Sequence, residues 1–141
     1  MLEPKPGLVI RYDFLWKEEQ TAGREDGVKD RPCVIILAAE PDKNGRRRVI
    51  LCPITHAPPA ANESGVEIPV KVARHLGLDD QRCWIKTHQV NALEWDEGRL
   101  PFGVSPARPG EWAFGELPFA LASQAFDQVR ANADILAVVK R

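Results

Sequence analysis

The sequence contains few cysteines, and the three that it has, Cys33, Cys52 and Cys83, form no CxxC pair. An odd number at such spacings argues against a disulfide framework and is typical of a reducing cytoplasm. No apolar run exceeds the seven residues from Cys33 to Ala39, whereas a membrane-spanning helix needs about 20. The first residues lack the basic and apolar regions of a secretory signal. We therefore expect a cytoplasmic protein that does not associate with membranes.

The sequence also lacks a strong charge bias and the common motifs of nucleotide and metal chemistry. The net charge of −1 argues against a protein that coats nucleic acid through bulk positive charge. There is no glycine-rich phosphate loop, no HExxH and no GxSxG. The histidines at positions 56, 75 and 88 are scattered, and zinc sites usually show local ligand pairs. We therefore expect no metal and no cofactor.

The length and composition are those of one ordinary globular domain. The chain has 141 residues, of which 44% are apolar and 28% charged. These values are close to the averages for globular proteins, and the length corresponds to about one domain. We therefore expect a single domain over residues 1–141.

Alternating and continuous apolar segments predict strands in the first half of the chain. Alternation from Gly7 to Trp16 predicts a half-buried strand, and the apolar run 33–39 predicts a strand buried on both faces. Pro-Asp-Lys-Asn-Gly at 41–45 predicts a hairpin turn into a strand over 46–54. The polar segment 17–30 predicts a loop that is long enough to carry a function.

The second half combines short strands with helices. Strands are predicted over 66–68 and 83–88, with a helix between them that begins near Pro69 and ends near Gly77. The clearest amphipathic helix carries an i+4 row of apolar residues: Leu117, Leu121, Ala125, Val129 and Ala133.

Three segments are less clear from the sequence. Residues 89–100 predict a strand or hairpin, residues 134–139 predict either more helix or a last strand, and residues 101–116 give no pattern. Short strands followed by a terminal helix predict a mainly-β or α+β domain with a small barrel-like sheet.

Two polar residues lie where the predicted hairpin strands begin and end. A turn centred on Asn44 places residues 31–33 opposite roughly 53–57, so we expect Arg31 and Thr55 to be close. A guanidinium beside a hydroxyl can bind a phosphate group, because arginine offers paired donors and stays charged. Arg31 could instead pair with Asp26 or Asp30, and the Thr55 hydroxyl could bond to the backbone.

At these residues the sequence resembles the PemK/MazF toxins of bacterial toxin–antitoxin modules. The matches follow the family's order and together extend from about residue 7 to residue 130. They are PGLVIRYDF at 6–14, RPCVIIL at 31–37, PIT at 53–55, EIP at 67–69, LGL at 76–78 and GELP at 115–118.

The resemblance implies a small SH3-like β-barrel of the CcdB/PemK type, with a short helix and a C-terminal helix, that works as a homodimer. It implies a metal-independent endoribonuclease that cuts single-stranded mRNA at short motifs and leaves 2′,3′-cyclic phosphate and 5′-hydroxyl ends. A small antitoxin, whose disordered tail covers the RNA groove, would be the protein partner. Arg31 and Thr55 align with the catalytic arginine and threonine of the family.

Other residues would complete this activity. Arginine is a poor base near neutral pH, so we expect the neighbouring His56 to act as acid or base if its side chain reaches the site. Lys17, Arg24 and Lys29 in the first polar segment are candidate RNA-binding residues. The sequence departs from the family at Leu8, where an acidic residue is common, and at His56, where a small hydroxyl residue is common.

Two other functions remain open at this point. A protein with this sequence could be a non-catalytic module that binds an antitoxin or RNA. It could also inhibit DNA gyrase as CcdB does, although those proteins use a tryptophan-containing tail and this chain ends AVVKR at 137–141.

Overall fold

The predicted hairpin lies at the centre of the sheet in the computed structural model, which describes residues 2–96 and 99–141. Strands β2 (Arg31–Ala38) and β3 (Arg46–Thr55) pair antiparallel across it. Gly45 has a φ of 78°, which a residue with a side chain rarely adopts. The hairpin prediction is therefore confirmed.

The Asp42 side chain stabilises the hairpin turn. Its Oδ1 accepts hydrogen bonds from the backbone N–H of Asn44 at 2.8 Å and of Arg46 at 3.0 Å. These bonds, that of Arg46 above all, hold the pKa of the Asp42 carboxyl below its usual value.

Seven further strands and three helices complete the described chain. In order they are β1 (Leu8–Tyr12), α1 (Lys17–Thr21), β4 (Gly65–Ile68), α2 (Val70–His75), β5 (Cys83–Lys86), β6 (Gln89–Asp96), β7 (Val104–Ser105), β8 (Ala113–Glu116), α3 (Phe119–Ala131) and β9 (Ala137–Lys140). Of these described helices, none combines the length and apolar character that crossing a membrane requires.

All strand pairs are antiparallel except that of β9 with β6. β1 pairs with β2, β7 and β8, while β3 pairs with β6 over its first six residues and with β5 at its end. The predicted mainly-β or α+β fold with a short helix and a C-terminal helix is confirmed. Over the described residues the pairings form an open sheet and do not close into a barrel.

Both faces of strand β2 pack against apolar side chains. Cys33 and Ile35 pack on one face with residues of β1 and β6, and Val34 and Ile36 pack on the other with Ala125 of α3. These four β2 residues are at most 4% exposed. The predicted burial on both faces is correct up to Ile36, after which an irregularity in the pairing brings the chain to the surface.

The first predicted strand and loop are wrong in part. The strand ends at Tyr12 rather than Trp16, and the segment predicted as loop begins with α1. The Glu19 carboxylate accepts the backbone N–H of Trp16 at 3.0 Å, and this local bond favours helix at a point where alternation predicted strand.

The three segments without a single clear prediction all contain strands. Residues 101–116 contain β7 and β8, and residues 134–139 contribute most of a last strand instead of more helix. The strand predicted within 89–100 is β6, which ends at Asp96, and residues 97–98 of that prediction lie outside the described residues.

A buried arginine joins the last strand to the first. The guanidinium of Arg141 donates to the Asp13 carbonyl at 2.8 Å, to both Asp13 carboxylate oxygens at 3.2 Å and to Asn91 Oδ1 at 3.1 Å. It also lies 5.1 Å from the centre of the Tyr12 ring. Asn91 in turn bonds both backbone groups of Leu15. The end of β1 is therefore held to β6 and β9 by polar contacts.

Replacing this arginine should destabilise the fold. Because the Arg141 side chain is 6% exposed, Arg141→Ala leaves a buried carboxylate without its partner, and we expect the free energy of unfolding to fall by about 3–5 kcal/mol. Urea unfolding measures the change. The control is Lys140→Ala, on an exposed neighbour, which should cost no more than about 0.5 kcal/mol. Equal losses in the two variants would contradict the role given to Arg141.

Candidate functional site

Strand pairing brings Arg31 and Thr55 to the same end of the hairpin. Arg31 is the first residue of β2 and Thr55 the last of β3. The last observed pair between these strands is Cys33 with Pro53, after which Ile54 and Thr55 pair with β5. The predicted pairing of 31–33 with 53–57 is confirmed at Cys33 and Pro53, and Pro32 and Thr55 line a common cavity.

The Arg31 side chain lies on an aromatic ring and keeps a free donor. Its guanidinium carbon is 5.3 Å from the centre of the Trp16 ring. The Nε atom is buried and has no hydrogen-bond partner within the described chain. A buried donor left unpaired costs free energy, and such atoms are rare in folded proteins. The folded chain therefore leaves part of the hydrogen-bonding capacity of Arg31 unused.

The acidic partners considered for Arg31 are engaged elsewhere. Asp30 lies 3.8 Å from Arg11 Nε and accepts the Ser105 hydroxyl at 2.9 Å, and Asp26 lies 3.9 Å from Arg141. Within the described chain neither carboxylate forms an ion pair with Arg31. The surface ion pair that the sequence left open is therefore not the arrangement found.

Thr55 lines a small cavity of about 220 Å³, which we call the Thr55 cavity. The Thr55 hydroxyl donates to the Ala57 carbonyl at 3.1 Å, which is the backbone bond that the sequence left open. The cavity walls include Ile54, Thr55, His56, Leu78, Asp79 and Phe114.

His56 is half-exposed and forms contacts through both ring nitrogens. Nδ1 is 3.0 Å from the Arg82 carbonyl and Nε2 is 2.7 Å from Asp79 Oδ2. Both neighbours are hydrogen-bond acceptors. His56 therefore lies at the wall of the Thr55 cavity with both ring nitrogens directed at protein groups. No pattern in the sequence indicated Asp79 or Arg82 as its partners.

The three predicted RNA-binding residues do not line a common cavity. Lys17 begins α1 and lines a second cavity, of about 410 Å³, whereas Arg24 lines a third, of about 1070 Å³. The Arg24 guanidinium donates to the carbonyls of Asp26 and Gly27. Lys29 is exposed in the segment before β2.

A polar cluster beside Lys17, which we call the Glu63 network, was not predicted. The buried Lys86 donates to Glu63 Oε1 at 2.8 Å, and His88 Nε2 lies 3.5 Å from Glu63 Oε2. Bonds from the Ala60 backbone first, and from Lys86 next, hold the pKa of the Glu63 carboxyl below its usual value. The residues are distant from Arg31 in sequence, and only the pairing of β4 with β5 brings Glu63 near Lys86.

The cysteines and the acidic residues show no metal-ligand arrangement. In residues 2–96 and 99–141, no three His, Cys, Asp or Glu side chains are grouped so that they could hold a metal ion. Burial raises the pKa of Cys33, Cys52 and Cys83 above the usual thiol value, and all three are free. They pack as small apolar side chains.

Comparison with known proteins identifies one family. The model of the family described as PemK-like, MazF-like toxin of type II toxin–antitoxin system matches residues 7–103. This range holds Arg31, Thr55, His56, Asp79 and the Glu63 network, whereas Phe114 of the cavity wall lies beyond it. No curated protein and no solved structure gives a significant match.

The Glu63 network should make stability depend on pH. Because the folded protein lowers the Glu63 pKa, its carboxylate stabilises the fold above the ordinary glutamate pKa of about 4.3. That contribution is lost as the pH falls through the lowered value. We expect the free energy of unfolding of the wild type to decline more steeply from pH 7 to pH 3 than that of Glu63→Gln, as measured by urea unfolding. Glu40→Gln, on an exposed residue after β2, should follow the wild type, and identical curves for all three proteins would exclude this role.

Proposed function

The chain belongs to the family of PemK-like, MazF-like toxins of type II toxin–antitoxin systems, and we propose that it is a metal-independent endoribonuclease that cuts single-stranded mRNA. Membership of a type II system implies a cognate antitoxin as partner. We further propose that the toxin acts as a homodimer in the cytoplasm. The observation that supports the enzymatic function most directly is the buried, unpaired Nε of Arg31 at the same strand ends as Thr55.

The proposed reaction uses the nucleophile that RNA itself carries. The 2′-oxygen forms a bond to the adjacent phosphorus, the bond from phosphorus to the 5′-oxygen breaks, and the products are a 2′,3′-cyclic phosphate and a 5′-hydroxyl. The 2′-hydroxyl proton leaves to solvent, and the 5′-oxygen receives a proton. The protein has to align the reacting groups and stabilise negative charge on the phosphate oxygens.

Arg31 is suited to the charged part of this task. Its guanidinium remains protonated at every pH of interest and can present paired donors to two phosphate oxygens. The Trp16 ring beneath it restricts where the guanidinium can lie. A guanidinium that is already positioned stabilises the transition state without first losing side-chain freedom.

Thr55 would bind the attacking 2′-hydroxyl or a phosphate oxygen, and His56 would act on the leaving 5′-oxygen. Rotation of the Thr55 side chain away from the Ala57 carbonyl frees its hydroxyl to bind a phosphate oxygen or the 2′-hydroxyl. His56 would release its Nδ1 from the Arg82 carbonyl and, when protonated there, give that proton to the leaving 5′-oxygen. Lys17, Arg24 and Lys29 would hold other phosphates of the RNA, each from a different part of the surface.

One observation favours a second candidate function. The Thr55 hydroxyl and both His56 nitrogens already have partners in the protein. A protein that keeps these bonds would bind RNA or the antitoxin without cutting RNA. Assays of cleavage and of binding distinguish the two functions.

The test of the enzymatic function is cleavage of a long, unstructured RNA in EDTA. We expect discrete cuts by the wild type with 5′-hydroxyl ends, which a polynucleotide kinase labels directly. Arg31→Ala should slow cleavage by about 10²–10³-fold, as when one donor to a developing oxyanion is removed. Arg31→Lys keeps the charge but not the paired donors, so its cleavage rate should lie between those of the wild type and Arg31→Ala.

The matched control is Arg11→Ala, which removes an exposed arginine from the strand beside Arg31 and should cut at the wild-type rate. Full activity in Arg31→Ala would exclude the proposed role of Arg31. RNA that stays intact with folded wild-type protein, yet is bound by it, would establish the binding function instead.

A further inference from the structure

We propose that the Thr55 cavity binds the nucleobase next to the scissile phosphate and selects a base with an exocyclic amino group. The inference rests on the proposed ribonuclease function and adds to it the source of sequence preference at that position. It follows from the size of the cavity, its aromatic wall, its one carboxylate and its position beside Arg31 and Thr55.

The cavity has the dimensions of a site for one small ring system. Its volume of about 220 Å³ lies below the roughly 300–1,000 Å³ of pockets that hold drug-sized ligands. Ile54, Leu78 and Cys83 give it apolar walls, and Phe114 adds an aromatic ring. Unstacked RNA bases bind proteins in this way, with the flat face on an aromatic or apolar side chain.

Arg108 holds the aromatic wall in place. Its guanidinium donates to the Phe114 carbonyl at 3.2 Å and to the Leu76 carbonyl at 3.3 Å, and its central carbon lies 5.9 Å from the Phe114 ring centre. Gly77 makes room for this arrangement, because a Cβ at that position would collide with Arg108 Nη1. The wall is therefore fixed before any ligand binds, which lowers the entropic cost of binding.

The polar side of the cavity presents an acceptor. Asp79 Oδ2 is 2.7 Å from His56 Nε2, and Asp79 Oδ1 accepts the backbone N–H of Gln81 at 3.0 Å. These two bonds orient the carboxylate, and each oxygen keeps a further lone pair. A carboxylate accepts hydrogen bonds from the amino groups of cytosine, adenine or guanine. Uracil has no amino group, and the one N3–H that it could donate lies between two carbonyl oxygens that would face the negative charge.

The position of the cavity determines which nucleotide it would contact. Thr55 belongs both to the cavity wall and to the proposed catalytic pair, and Pro32, the neighbour of Arg31, also lines the cavity. A base in the cavity therefore has its own phosphate close to the ends of β2 and β3. For that reason we assign the cavity to a nucleotide that flanks the cut and not to a more distant one.

The test compares cut-site sequences for Asp79→Asn and Asp80→Asn. The second variant makes the same chemical change one residue further along, at an exposed carboxylate that pairs with Arg74 outside the cavity. Each protein is incubated with a pool of random-sequence RNA in EDTA, and the cut ends are sequenced. We expect wild type and Asp80→Asn to disfavour uridine at one position flanking the cut. In Asp79→Asn this preference against uridine should be about tenfold weaker.

A second pair of variants tests the aromatic wall. Phe114→Leu should weaken binding of an RNA whose nucleotide at the cut lacks the 2′-hydroxyl, by about fivefold or more as expected for a lost stacking contact. Phe119→Leu, at a residue 85% exposed at the start of α3, should bind as the wild type does. Thermal unfolding of each variant confirms that it is folded.

The outcomes separate this inference from the function on which it rests. Cutting by the wild type with the same base preference in Asp79→Asn would overturn the inference and leave the ribonuclease function standing. If the wild type does not cut, RNA bound from the same pool is sequenced instead. A preference against uridine at one position that Asp79→Asn loses would then support the base site without catalysis. If the wild type and Asp79→Asn bind the same sequences, the inference is overturned.

Discussion

The register between β2 and β3 is the constraint on which the candidate site depends. Because successive side chains of a strand point to opposite faces, a slip of one residue would exchange the two buried faces of β2. Cys33 and Ile35 would leave the cluster that they share with β1, and Val34 would leave the one that contains Ala125. The apolar core thus holds the register, and the register places Arg31 and Thr55 at the same end of the hairpin. Core packing and site geometry are consequences of the same strand alignment.

Two arginines at the same end of β1 differ in how many of their hydrogen-bond donors the protein uses. Arg141 donates to four acceptor atoms, three of them on Asp13, and has no buried donor left unpaired. Arg31 lies against Trp16 and retains a buried Nε without a partner in the described chain. The first side chain is fully used in holding strands together. The second keeps hydrogen-bonding capacity that the folded chain itself does not use.

Local patterns in the sequence predict the parts of the fold that local forces determine. The hairpin at 41–45 follows from Asn44-Gly45, and the burial of β2 follows from its continuous apolar run. Alternation failed where another local force was stronger, since a hydrogen bond from Trp16 to Glu19 begins a helix after β1. Residues 101–116 gave no pattern because two very short strands carry too few side chains to show a period.

The candidate site was predictable only where one hairpin joins its members. Arg31 and Thr55 could be placed together from the turn between them. Asp79, the partner of His56, could not, because it follows α2 and reaches the site through the pairing of β3 with β5. The Glu63 network has the same origin, since it joins residues of two loops and of β5. Such contacts depend on strand order, which no short-range pattern records.

The contact between Asp13 and Arg141 joins residues 128 positions apart, and this has a consequence for the order of events during synthesis. A ribosome releases the N-terminal strand long before β9 exists, and contacts between distant residues form last because closing a long loop is costly. Until then Asp13 lacks its partner and β6 lacks one of its two neighbouring strands. The contacts of Arg141 and β9 can therefore form only after the other strands of the described sheet have been made.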